Sequence, residues 1–256
     1  MKIGILTDIH EDAAKLSLAI RELEQRHCDT VVCLGDIAGF DNRYYSHHYS
    51  RDLKYCIAVI KANCKHAIIG NHDLYAIKKI PSYSTIFAYP NDWYTLSLSE
   101  RKRMSNGCIW NYEYDAPVSL CAEDESYLQS LPENILIEDS GMRILFSHSV
   151  YPDISGTLAV KQTRQKDFLL HFEVLREKLC TVGVSGHLHP SGILKINEQA
   201  IERTTFGVRT IHDSLMHFVC PCIADGTHDN GYSILDTVEK TIESFPLRTP
   251  HNTIGW

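Results

Sequence analysis

Nothing in this chain of 256 residues is built to cross a membrane: no uninterrupted apolar stretch approaches the roughly 20 residues a spanning helix needs. The opening run, residues 1–6, is far too short for the apolar core of a signal peptide, so a cytoplasmic address and no membrane partner are expected. An excess of positive charge is missing too. A formal net charge of -7 and a pI near 6.0 argue against sequence-independent capture of phosphate backbones, which makes nucleic acid a disfavoured partner. The nine cysteines include no C-x-x-C pair and are odd in number, so they read as reduced, mostly structural thiols. Cys220-Pro221-Cys222 lacks the further Cys or spaced His of a zinc site and reads as a buried strand edge. Repeats, low-complexity tracts and linkers are absent. With 44% hydrophobic and 22% charged residues, the composition fits one large domain over residues 1–256, with an insertion or cap at about 78–120.

What the chain does have is a βα rhythm. Residues 3–6 form a short apolar run, and Ala13, Leu16, Ile20 and Leu23 then recur at helical spacing. Residues 30–34 predict a second strand, 52–62 a helix and 67–69 a third strand. The rhythm lapses across 78–111, where Tyr83, Phe87, Tyr89, Trp93, Tyr94 and Trp110 predict a small aromatic core against the main body; as a lid it would set substrate choice. It resumes with a helix over 123–131, a strand over 142–146, a helical pattern over 163–179 and a strand over 181–184. The apolar runs 216–219 and 232–235 predict antiparallel strands closing a second sheet.

Five polar clusters follow these strand-like runs: Asp8-Ile9-His10, Gly35-Asp36, Gly70-Asn71-His72-Asp73, Ser147-His148 and Gly186-His187-Leu188-His189. Open α/β sheets gather ligands at strand ends, so side chains placed there converge on something. Three oxygen donors (Asp8, Asp36 and Asn71) and four imidazoles (His10, His148, His187 and His189) are too many for one ion and about right for two. Paired divalent ions suit phosphoester hydrolysis, because they lower the pKa of a bridging water and clamp the phosphoryl oxygens. Asp36, on a short stem after Gly35, is the candidate bridge. Mixed nitrogen and oxygen donors suit two divalent ions drawn from Mn, Fe, Zn, Co or Ni, with manganese as the first choice to test.

By these residues the chain resembles the calcineurin-like metallophosphoesterases, whose pattern runs D-x-H, G-D, G-N-H-D or G-N-H-E, an isolated H, then G-H-x-H. It is most similar to the bacterial and archaeal branch related to diadenosine tetraphosphatase, through Gly35-Asp36-Ile37-Ala38-Gly39-Phe40 and through Leu131-Pro132 ahead of the isolated histidine. The resemblance implies an α/β fold, a four-layer sandwich of two mixed sheets flanked by helices. It implies one ion held by Asp8, His10, Asp36 and His189, and a second held by Asp36, Asn71, His148 and His187. Asp36, Asn71 and His72 would form the catalytic set, with His72 protonating the leaving group or stabilising phosphoryl charge while a metal-bridging hydroxide attacks. The chain departs from the branch at Ser149, where Gly is usual, and at Cys220-Pro221-Cys222, where Asn-Pro-Gly is usual.

The expected activity is metal-dependent hydrolysis, as a phosphodiesterase or phosphatase, of a small phosphorylated or nucleotide-like substrate. The alternative is a catalytically silent scaffold of the same fold, which retention of His72 and of every ligand disfavours. The protein Ser/Thr phosphatase branch is disfavoured because no Arg follows Gly35-Asp36-Ile37-Ala38-Gly39 and because Asp73 replaces Glu; the nuclease branch is disfavoured because no basic face is apparent. Asp73 reads equally as a structural cap or orienting residue and as a functional one, and stays outside the catalytic set. Arg43, Tyr44, Tyr45, His47 and His48 read as a solvated loop within reach of a substrate phosphate. His27, His66, His171, His212, His217, His228 and His251 are assigned no role at the site.

Overall fold

The computed structural model describes residues 1–83, 86–159, 164–212, 214–224, 226–227 and 229–247. His228 and His251 therefore lie outside the described residues. Two six-stranded mixed sheets stack face to face. The first carries β1 (Lys2–Leu6), β2 (Thr30–Cys33) and β3 (His66–Ala67) in parallel, and continues antiparallel from β1 through β11 (Gly231–Asp236), β12 (Thr241–Pro246) and β9 (Gly207–Thr210). The second runs β4 (Asn134–Asp139), β5 (Met142–Ser147), β6 (Val182–Ser185), β10 (Met216–Val219), β7 (Ile193–Ile196) and β8 (Ile201–Thr204).

Alternating side chains divide the layers. On β1, Ile3 and Ile5 point into the space between the sheets, where Val32 and Leu34 meet Ile144, Phe146, Val184 and Phe218. Leu6 points the other way, against Leu16, Ile20 and Leu23 of α1 (Ala13–Gln25) and against Ile57 and Ile60 of α2 (Leu53–Asn63). Asp12 and Asp52 cap these helices by accepting the Lys15 and Tyr55 amides. Phe172 and Leu175, on a helix over Leu169–Glu177, cover the outer face of the second sheet with Leu145 and Val219. The order helix, sheet, sheet, helix is the sandwich expected from the sequence. No described helix is long and apolar enough to cross a membrane.

Three expectations need correction. The runs at 216–219 and 232–235 fall in different sheets: the first joins the second sheet, parallel to β6 and antiparallel to β7, while the second joins the first sheet, antiparallel to β1 and β12. Both are buried on two faces, so their sequences carry no alternation to tell which neighbour they take. The third strand is only His66–Ala67, because the chain turns at once to deliver Gly70 and a short helix over Asn71–Ala76. The helix within 163–179 begins later, as a 3-10 turn over Gln165–Phe168 and then α-helix from Leu169.

Candidate metal centre

Each predicted ligand stands just beyond a strand: Asp8 and His10 after β1, Asp36 after β2, Asn71 after β3, His148 after β5, His187 and His189 after β6. Since β1 and β2 belong to one sheet and β5 and β6 to the other, the donors meet where the carboxyl ends of the two sheets converge. Asp8, His10, Asp36, His187 and His189 all hold positive φ, between 44° and 66°. Left-handed backbone is uncommon outside glycine and costs on the order of 1 kcal/mol or more per residue. Five such residues around one point mark strain held by the surrounding structure for a site.

The ligand atoms fall into groups. Asp8, His10 and His189 place theirs within 4.8 Å of one another, and so do Asp36, His148 and His187. His189 Nε2 lies 3.0 Å from Asp8 Oδ1 and 3.4 Å from His10 Nε2. His148 Nε2 lies 3.1 Å from Asp36 Oδ2 and 3.0 Å from Asn71 Oδ1. Donors sharing one ion at about 2.1 Å stand roughly 3 to 3.5 Å apart, so this packing fits divalent ions of first-row size. The sequence-predicted donors are thus brought together. Asp36 lies between the groups, its Oδ2 also 3.9 Å from His10 Nε2.

Tautomers are set from behind. His10 Nδ1 donates to the Gly39 carbonyl at 2.8 Å and His148 Nδ1 to the Leu34 carbonyl at 2.7 Å, turning both Nε2 lone pairs inward. Asp8 accepts the Thr7 hydroxyl and the His187 amide, and Asp36 Oδ1 accepts the His72 amide. Glu11, buried beside Arg51, accepts the Gly39 amide and fixes the turn after Asp36. Asp73 accepts the amides of Ala38 and Gly70, so it ties two ligand-bearing turns together.

The electrostatics follow. Burial opposes charge on His148, but Asp36 and Asp8 lift its pKa to about 9. Burial likewise opposes charge on His189, and Cys222 and Asp8 push it upward. His10 and His187, for which burial prevails, fall to about 3. Burial would raise Asp8 and Asp36, yet the neighbouring imidazoles hold both below the usual carboxylate range. The candidate donors thus include two ionised carboxylates, neutral His10 and His187, and protonated His148 and His189, whose protons a divalent ion would displace.

His72, outside the predicted ligand set, also places a ring nitrogen within 4.8 Å of ligand atoms of His10 and Asp36. It lines a cavity of about 190 Å³ with Asp36, Asn71, His187 and His189. Its Nδ1 donates to Asp115 Oδ2 at 2.6 Å. Burial would lower the His72 pKa, but Asp115 and Asp36 raise it to about 9. Sequence reasoning missed Asp115. It lies in the insertion at about 78–120, and no spacing links it to His72. The loop after Asp36 divides. Tyr44 and Tyr45 line the cavity, whereas Arg43 is held by Asp41 over the Tyr114 ring, His47 bonds the His10 carbonyl, and His48 packs edge-on against Phe40. Cys222 also lines the cavity; Ser149 instead donates its amide to the Ile154 carbonyl.

The family model of the calcineurin-like phosphoesterases matches residues 1–194. The chain belongs to that family. A protein of Methanocaldococcus jannaschii named uncharacterized protein MJ0912 is 24% identical over 150 residues, which cover 57% of this chain. This match spans 49% of that protein, so the chain aligns with about half of its curated relative. Among solved structures, a metallophosphoesterase from Sphaerobacter thermophilus superposes with a TM-score of 0.65 at 18% identity, over 98% of this chain and 89% of that one. The hypothetical protein PH1004 from Pyrococcus horikoshii gives a TM-score of 0.62 at 13% identity over the same shares. At these identities the two structures establish the likeness of fold.

Proposed function

We propose that this calcineurin-like phosphoesterase hydrolyses a small phosphorylated or nucleotide-like substrate with two divalent ions. One ion is assigned to Asp8, His10, Asp36 and His189, the other to Asp36, Asn71, His148 and His187, with Asp36 shared. The observation that carries the reading is the meeting of seven donors around Asp36, with His10 and His148 locked from behind by backbone carbonyls. When bound, the ions supply a nucleophilic hydroxide at neutral pH and screen charge on the phosphoryl oxygens. The protein's own contribution is placement of the proton. His72, held at Nδ1 by Asp115, presents Nε2 as the donor to the departing alkoxide. Asn71 adds an oxygen ligand without adding negative charge at a site meant for anions.

Metal analysis of the purified protein, with bis-p-nitrophenyl phosphate hydrolysis measured across Mn, Fe, Co, Ni and Zn, tests this. About two ions per chain and metal-dependent turnover are expected. A protein that carries both ions and is inert on every phosphoester offered would overturn it.

A further inference from the structure

The cavity joins the polar groups of Asp36, Asn71, His72, His187 and His189 to aromatic and aliphatic lining that includes Tyr44, Tyr45, Trp110 and Leu158, with Tyr45 stacked on the His10 ring at 4.5 Å. Among the described residues, no Lys or Arg lines it. The cation nearest in sequence, Arg43, spends its guanidinium on Asp41, with Nε and Nη2 both bonded to the carboxylate.

Trp110 is fixed, not draped. Its amide donates to the Thr157 carbonyl at 2.9 Å, the Ala159 amide donates to the Cys108 carbonyl at 2.8 Å, and Ile109 bridges Leu158. This short ladder sets the indole at the cavity. The Tyr44 and Tyr45 wall is anchored separately, by a bridge from Tyr45 to Gly226, where an added Cβ would lie 2.9 Å from the Tyr44 carbonyl. A pocket with convergent polar groups and fixed aromatic walls orients a ligand with one polar and one flat apolar part.

On the hydrolase reading above, we propose that the substrate is a phosphodiester monoanion whose non-leaving arm is an aromatic or similarly flat group packed against Trp110. A phosphomonoester brings a second negative charge and, because its one ester group is the leaving group, no second arm for the apolar wall. A polyphosphate brings further charge into a lining that, among the described residues, offers no Lys or Arg. Hydrolysis here needs no co-reactant: the oxygen of water joins phosphorus as one ester P–O bond breaks. One proton of that water stays on or leaves the new phosphomonoester, and the departing alkoxide takes a proton to become the alcohol.

Three substrates with one leaving group test this on the full-length, Mn-loaded protein: p-nitrophenyl phosphate, methyl p-nitrophenyl phosphate and phenyl p-nitrophenyl phosphate. We expect kcat/KM to rise in that order, with the phenyl diester ahead of the methyl diester by about tenfold or more, the size of a stacking contact. Trp110→Ala should collapse the phenyl-to-methyl ratio toward one, and Trp110→Tyr, which keeps a ring, should retain most of it. A readout independent of turnover is saturable quenching of tryptophan emission in the metal-free protein by bis-p-nitrophenyl phosphate, lost in Trp110→Ala. A preference for the monoester, an unchanged ratio in folded Trp110→Ala, or no saturable quenching would overturn the proposal while leaving the hydrolase reading intact. Hydrolysis of none of the three by the metal-loaded protein would instead sink the hydrolase reading.

Discussion

Asp115 Oδ2 lies 2.6 Å from His72 Nδ1, and through this contact a segment outside the βα core reaches the one site histidine that is not a proposed ligand. The rings of Tyr112 and His10 meet the His72 ring edge-on, with centroids 5.1 and 5.0 Å away. His72 is therefore confined by packing and aimed by one hydrogen bond.

That pairing makes a double-substitution prediction. His72→Ala should keep both metals and lose on the order of 10² to 10⁴ in kcat, as expected when a general acid is removed. Asp115→Asn keeps the shape but removes the charge that holds the imidazolium, and kcat should fall by roughly 10- to 100-fold. If Asp115 acts through His72, adding Asp115→Asn to His72→Ala should cost almost nothing more. Full additivity, or metal loss in His72→Ala, would separate the two residues.

Asp36 carries a different expectation. Its carboxylate lies between both donor groups, 3.1 Å from His148 Nε2 and 3.9 Å from His10 Nε2. Asp36→Ala should abolish loading of at least one ion, read as metal content per chain after dialysis. A doubly loaded Asp36→Ala protein would show that the carboxylate is not shared.

Gly39 leaves no room for a side chain. Its φ is +99°, and an added Cβ would lie 2.4 Å from Cβ, Cγ and Nδ1 of His72. Gly39→Ala should displace the His72 ring from Asp115 and lower kcat on the order of 10²-fold, since misplacement by about 1 Å has that effect. Both ions should remain, because the Gly39 carbonyl that orients His10 belongs to the backbone. Activity within twofold of the parent would show that the ring has slack.

Legibility in the sequence followed chemistry more than topology. The convergence of Asp8, Asp36, Asn71 and the four candidate-ligand histidines was readable because each follows an apolar run at a fixed short spacing, and strand ends converge in this class of sheet. Asp115 was not, because its partnership with His72 is made by tertiary packing across 43 positions with no periodic signal between them. Strand pairing failed for a related reason. Residues 216–219 and 231–236 are nearly all buried on both faces, and a fully apolar strand does not disclose whether its neighbour runs parallel or antiparallel. The wall at Cys222 was foreseen as a departure from the family pattern, yet its place in the cavity needed the fold.

Two of the histidines assigned no site role, His171 and His217, contribute to the protein's response to acid. The Tyr151 amide donates to His171 Nδ1, so His171 carries its proton on Nε2 and donates to His217 Nδ1 at 3.0 Å. His217 then donates from Nε2 to Ser185 Oγ at 2.9 Å. Every nitrogen in this buried chain is used in one direction, and a further proton on either ring would set donor against donor. Burial holds His171 down to about 3, and burial with the neighbouring His171 holds His217 well below its ordinary value. Both rings thus stay neutral in the folded state at pH values where unfolded histidine, with a pKa near 6.5, takes up a proton. The unfolded chain then binds more protons, so the stability is fully present above about pH 6.5 and is lost as pH falls toward the folded values. Between pH 7 and pH 5 each ring should withdraw about 2 kcal/mol. Urea midpoints of metal-free protein at the two pH values, compared with a His171→Leu/His217→Leu variant, measure it, because other buried histidines cancel in the difference. An equal pH dependence in parent and variant would mean that both rings accept their protons without unfolding.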